Sequence, residues 1–187
     1  GTHSKPELTE LVRQTLNISD FFIFPSDWAK DRIGFIGENC KVVYNRPMKV
    51  FHQHKSKETT LGDKIRLVTH HWSMNPKKGF DIYQKLQEYI DDTGAFEFTY
   101  IGRKPDNVVI SKHIQPISAI ELSKELTNHD IYITASIEEA GANHVLEALA
   151  AGLPVVYHKE GGSIVDYCKD YGTEFECFKS LIDSINE

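Results

Sequence analysis

Two glutamates, a lysine and a run of small residues carry the chemistry legible in this sequence. Seven residues separate Glu139 from Glu147, and Ala140, Gly141 and Ala142 follow the first of them. A helix pattern then runs over about 143–151, with Gly152 and Pro154 where a C-terminal cap and the breaker beyond it belong. The first amides of such a helix have no partner within it and carry partial positive charge, so its tip can seat a phosphate. Asn143 can cap that tip or touch the phosphate. The two carboxylates that bracket the seat are acceptors for hydroxyl groups. Eight positions at the helical rise span roughly 12 Å, room for a diphosphate with a hydroxyl-bearing group on each side. The plainer alternative is a pair of solvent-facing glutamates on an amphipathic helix.

These groups need elements to position them. An apolar, β-rich run at 131–135 reads as a strand of a parallel sheet covered on both faces, and it delivers the acidic loop. From Lys64 onward, strands at 65–70, 96–101, 107–110, 131–135 and 155–157 alternate with helices at about 78–91, 118–127 and 143–151. Phe80, Tyr83, Leu86 and Ile90 form a helical stripe, and Ser118 with Glu121 makes a capping box. This alternation predicts an α/β fold, a Rossmann-like doubly wound parallel sheet with ligands at the carboxyl ends of its strands. Lys78 precedes Gly79 at the predicted opening of a helix, which lets its ammonium reach across that edge towards a phosphate. Gly161 and Gly162 mark a tight turn, followed by a short helix at 164–169, a strand near Phe175 and a closing helix from Phe178. Ahead of the sheet, the pattern gives a helix at 7–16, a strand at 21–24, a helix capped by Ser26 through about 36, and a strand at 41–44. This βαβ piece is too small for a core of its own. Residues 51–63 are polar and read as a linker.

Composition bounds the rest. At 187 residues with 40% hydrophobic and 11% aromatic content, the chain suits one ordinary domain with an attached piece. A net charge of −6 without a basic cluster argues against a nucleic-acid partner. No apolar run approaches the roughly 20 residues of a membrane span, and no signal-peptide pattern is present. Three cysteines without CxxC spacing favour a reducing, cytoplasmic setting. The nine histidines, including His52/His54 and His70/His71, lack zinc-site spacing and read as scattered surface or strand-end residues. There is no Gly-x-Gly-x-x-Gly, Walker loop or Gly-x-Ser-x-Gly elbow.

The Glu-x7-Glu pattern, followed by Glu-Ala-Leu-Ala-Ala-Gly-Leu-Pro-Val-Val, resembles the C-terminal, donor-binding domain of GT-B-fold retaining glycosyltransferases of the family-four-like group 1. The resemblance extends to Phe-Ile-Phe-Pro-Ser-Asp-Trp-Ala-Lys-Asp-Arg-Ile and Lys-Val-Val-Tyr-Asn-Arg-Pro, which look like the last βαβ of the family's N-terminal domain. It implies three parts: 1–50 as a remnant of the acceptor domain, 51–63 as linker, and 64–187 as a nucleotide-sugar-binding domain. Relatives carry an acceptor-binding domain ahead of this point, so the chain is expected to be a truncated piece of such an enzyme or one half of an enzyme whose other half is elsewhere. The implied partners are a nucleotide-diphosphate sugar and a glycan, lipid or small-molecule acceptor, with peripheral membrane contact through the preceding domain. No cofactor or metal is implied, since positive groups and a helix tip serve in place of a cation and no Asp-x-Asp is present.

Residue by residue, the resemblance assigns Glu139 to the donor sugar, Glu147 to the ribose, Lys78 to the diphosphate and the segment around Ile114 to the nucleobase. The family's Gly-Phe-Gly is Ala140-Gly141-Ala142 here, still small enough for close approach of a diphosphate. Relatives carry an arginine where this chain has Ser73. Two substitutes remain open: Ser73 as a neutral hydrogen-bond donor, or Arg103, which follows the turn after the second strand. Two rival functions also stay open, a nucleotide-sugar epimerase and a non-catalytic interaction or regulatory module.

Overall fold

In a computed structural model, residues 6–53 and 64–186 are described. Most of the predicted linker therefore lies outside the described residues. Six strands form one parallel sheet: β3 (Ile65–His71), β4 (Phe96–Gly102), β5 (Lys112–Ile114), β6 (Ile131–Thr134), β7 (Val155–His158) and β8 (Gly172–Phe175). Their spatial order is β5-β4-β3-β6-β7-β8, the doubly wound arrangement in which strand order reverses between the first strand and the fourth. Here that reversal falls between β3 and β6, joined at Leu67↔Ile131 and Val68↔Tyr132.

Helices α3 (Phe80–Thr93), α4 (Ala119–Leu126), α5 (Asn143–Ala150), α6 (Ser163–Cys168) and α7 (Phe178–Asn186) cover the sheet. Alternate side chains of each strand serve opposite faces. Leu67, Phe98 and Ile133 pack with Phe80, Tyr83 and Leu86 of α3 on one side, while Val68, Tyr132 and Val155 pack with Leu122, Leu126, Val145 and Ala148 on the other. At the amino end of the reversal, Asp130 takes a bidentate pair from Arg66, at 3.0 and 2.8 Å, and the Arg66 main-chain N–H at 2.8 Å. This ties β3 to β6 at the end remote from the carboxyl edge.

The N-terminal segment comprises α1 (Pro6–Thr15), β1 (Phe22–Phe24), α2 (Asp27–Ile33) and β2 (Cys40–Val42), with β1 and β2 in a parallel two-stranded sheet. Ser26 caps α2, as its residue type predicts, but the helix stops at Ile33 rather than near 36 because Gly34 turns left-handed (φ 76°). The segment packs on its own chain. Ser26 Oγ donates to the Ala140 carbonyl at 2.6 Å, Tyr167 Oη donates to the Pro25 carbonyl at 3.3 Å, and the Tyr44 and Tyr167 rings meet edge to face. Phe51, placed by its sequence context at the head of the linker, is fully buried instead. It lies in a short 3-10 turn (Lys49–His52) and joins the core of Leu122, Leu126, Val145 and Ala148.

Two further boundaries differ from expectation. No strand forms at 107–110; the third strand of the sheet is Lys112–Ile114, paired with Thr99, Tyr100 and Ile101. The helix expected from Lys78 starts at Phe80. A 3-10 turn, Pro76–Lys78, precedes it, capped by Asn75 and closed by Gly79 in a left-handed conformation (φ 77°). A Cβ on Gly79 would fall 2.5 Å from the Ala135 carbonyl, so this position needs glycine twice over, for its backbone angle and for its space.

Candidate functional site

The carboxyl ends of β3 and β6 bring the candidate residues to one edge. The chain leaves β3 through the 3-10 turn that carries Lys77 and Lys78, and leaves β6 into the loop that carries Glu138 and Glu139. Main-chain bonds fix the loop: Ile137 N–H donates to the Lys77 carbonyl at 2.9 Å, Glu138 N–H to Glu160 at 2.8 Å and Glu139 N–H to Gly161 at 3.2 Å. Gly162 (φ 69°) makes the last approach possible, since a Cβ there would lie 2.6 Å from the Glu139 carbonyl. The two lysines and two glutamates pair in order, Lys77 with Glu138 and Lys78 with Glu139. Glu138 is also reached by Arg32 of α2 at 3.4 Å.

Glu147 and Glu139 thus come to the same edge by different routes. Only Glu147 belongs to α5, so the helical rise does not measure the separation between them. The tip of α5 has no side-chain cap: Ala142 occupies the N-cap position. Among the described residues, the N–H groups of Gly141 and Ala142 take no partner, while Asn143 N–H turns back to the Gly141 carbonyl at 3.1 Å. Asn143 Oδ1 accepts from Asn45 Nδ2 at 2.9 Å, so the N-terminal segment reaches the tip itself.

The other candidates are placed as follows. Ser73 is exposed, its Oγ accepting from Asn75 N–H at 3.1 Å. Arg103 holds its guanidinium 5.8 Å from the centre of the Trp72 ring, and its main-chain N–H donates to His71 at 3.0 Å. Ile114 pairs with Ile101 in the sheet and packs half-buried against the core. Beside it, a narrow slot of only about 20 Å³ is lined by His70, Trp72, Ile101, Gly102, Pro116 and Ile117 among others.

The histidines are the group that sequence reasoning missed. His70 and His71 stand at a strand end but are buried, as is His144. His70 Nε2 lies 2.8 Å from Glu147 Oε2, a contact between residues 77 apart in sequence. The signal that could have found it is position: a polar pair ending the first strand of a doubly wound sheet faces the crevice. On the opposite face of β3, Tyr83 Oη accepts from Ala135 N–H at 3.0 Å and from Thr69 at 3.3 Å, and meets His71 Nε2 at 2.9 Å.

Burial, reinforced by the Lys78 charge, pushes His71 and His144 well below the usual imidazole range. Burial also lowers His129, held between the Glu125 carbonyl and the Thr99 hydroxyl at 2.9 Å each. Each of these rings resists protonation in the fold, whereas the unfolded chain binds a proton there below about pH 6.5. Stability is therefore complete above that pH and falls as pH drops below it, by at most about 1.4 kcal/mol per pH unit for each histidine until its folded pKa is reached. Urea unfolding at pH 7.5 and 5.5 checks this; equal stabilities at the two values would contradict it.

The fold is that of the Rossmann-like half of GT-B glycosyltransferases. Residues 100–187, a little under half of the chain, match the family model described as Glycosyl transferases, group 1. No curated protein sequence matches the chain. Among solved structures, sucrose-phosphate synthase from Thermosynechococcus elongatus aligns with 97% of this chain and 52% of its own, at 12% identity and a TM-score of 0.74. A variant of S. aureus TarM, solved with fondaparinux, α-GlcNAc-glycerol and UDP, aligns with 96% of this chain and 38% of its own, at 19% identity and a TM-score of 0.72. The pneumococcal O-GlcNAc transferase GtfA, solved with UDP and GlcNAc, aligns with 96% and 40%, at 14% identity and a TM-score of 0.69. At these identities the likeness concerns the fold, and the chain spans roughly two-fifths to one-half of the length of these proteins. Among the described residues no helix is long and apolar enough to cross a membrane.

Proposed function

We propose that this chain is the donor-binding half of a retaining glycosyltransferase and holds a nucleotide-diphosphate sugar at the β3–β6 crevice. The observation that carries this reading is the convergence, at one strand-order reversal, of Lys78, Glu139, Glu147 and the uncapped tip of α5. The UDP bound in the TarM and GtfA structures supports a nucleotide donor.

In this reading the diphosphate displaces Glu139 from Lys78 and takes the ammonium for itself. The free Gly141 and Ala142 amides supply further donors. Glu139, released, accepts hydroxyls of the sugar, while Glu147 accepts those of the ribose. When the bond between sugar and diphosphate breaks, Lys78 and the amides stabilise the charge that develops on the departing group. The segment around Ile114, at the end of β5, cups the base. Ser73 leaves the family's arginine unreplaced, and Arg103, beside Trp72, is taken as the substitute. The acceptor is a glycan, lipid or small molecule, and transfer needs groups from outside these 187 residues.

Calorimetric titration with UDP-, GDP-, ADP- and TDP-sugars tests the reading. Binding of one of them, with an affinity unchanged by EDTA, is the expected result. Failure of all four to bind would replace it with a non-catalytic module that kept the fold, and isomerisation of a bound donor without acceptor would replace it with an epimerase.

A further inference from the structure

The contact between His70 and Glu147 has a direction and a purpose that no other feature of the site supplies. A carboxylate only accepts, so the imidazole donates through Nε2–H to Oε2. His70 cannot turn away. Its side chain is 5% exposed, the rings of Tyr132 and His144 stand edge-on to it at 5.4 and 6.2 Å, and the Tyr132 hydroxyl bonds its main-chain N–H at 3.2 Å. Glu147, at 18%, is the more open partner. Its other oxygen, Oε1, has no hydrogen-bond partner among the described residues. A glutamate has three side-chain torsions, and freezing them on binding costs affinity unless something has already fixed them.

We infer that His70 is a positioning residue. By holding Oε2 it fixes the plane of the Glu147 carboxylate and presents Oε1 to the vicinal hydroxyls of the nucleotide's ribose. This rests on the proposed assignment of Glu147 to the ribose. It adds that recognition of the diol depends on a strand-end histidine that acts on it through Glu147.

The test compares UDP, the nucleotide in the TarM and GtfA structures, with 2′,3′-dideoxy-UDP by calorimetry. The native chain is expected to prefer UDP by roughly tenfold, the scale of a charged hydrogen bond. Glu147→Ala abolishes that preference. His70→Phe, which fills the space without a donor, cuts it to about twofold while leaving the dideoxy affinity nearly unchanged. His70→Gln, which offers an amide N–H, restores most of it. If His70→Phe does not fold, His70→Asn, whose amide falls short of Glu147, carries the same expectation.

A role confined to packing would weaken both nucleotides alike, and that outcome overturns the inference. Loss of the preference in Glu147→Ala but not in the histidine variants would overturn it too, with the ribose assignment left standing. No preference in the native chain, no binding, or an undiminished preference in Glu147→Ala would bring down the assignment and the inference with it.

Discussion

Lys78→Ala is expected to weaken binding of the donor nucleotide by about 1–3 kcal/mol, the scale of a lost charged hydrogen bond. The size follows from where Lys78 stands. It ends a 3-10 turn that Asn75 caps and Gly79 closes, so its backbone is fixed before any ligand arrives. Its side chain is only 15% exposed, which shields its interaction with an anion from solvent more than a surface lysine's would be. The substitution also strands Glu139, its present partner, so affinity must be separated from folding. Lys78→Met keeps most of the side-chain bulk and gives the same loss if charge is responsible, and thermal unfolding reports whether either variant remains folded. Unchanged calorimetric affinity in both folded variants would remove Lys78 from the binding site.

Phe51→Ala is expected to cost about 3–5 kcal/mol of stability, the range for deleting a fully buried aromatic ring. Phe51 has no exposed surface and packs among side chains of α4 and α5. It is the point at which the chain leaving the N-terminal segment enters the main core. Urea unfolding measures the loss. A change below about 1 kcal/mol would show that the 3-10 turn does not dock as described.

Phe51 also marks the limit of what local sequence conveys. The parallel sheet was legible because apolar strands alternate with amphipathic helices, and the helix caps at Ser26 and Ser118 were legible because capping is a local affair. A single phenylalanine ahead of a polar stretch gives no such pattern; only the hollow between α4 and α5 decides that it is core. The third sheet strand failed for a related reason. Val108 and Ile110 have β propensity and are buried, yet side chains of α3 satisfy the backbone around them, with Gln84 accepting from Val109 N–H and Gln87 from Ser111 N–H. Register with Thr99 and Ile101 then falls to the less apolar Lys112–Ile114.

At the site, the acidic loop and the helix tip could be read from residue type and spacing. Their partnerships could not. Lys78 with Glu139 and His70 with Glu147 join residues 61 and 77 positions apart, and only the sheet order brings them together. Both pairs also explain how two carboxylates stay partly buried in a cleft: each has a donor.

The most direct measurement is a ¹⁵N NMR titration of the chain with UDP-sugar, following main-chain amides. Binding at the crevice shifts Gly141, Ala142 and Asn143 first, with Lys78, Glu139 and Glu147 moving at the same ligand concentrations. Shifts gathered instead around the roughly 720 Å³ hollow of Asp27, Tyr44 and Tyr167, with the tip of α5 unmoved, would contradict it.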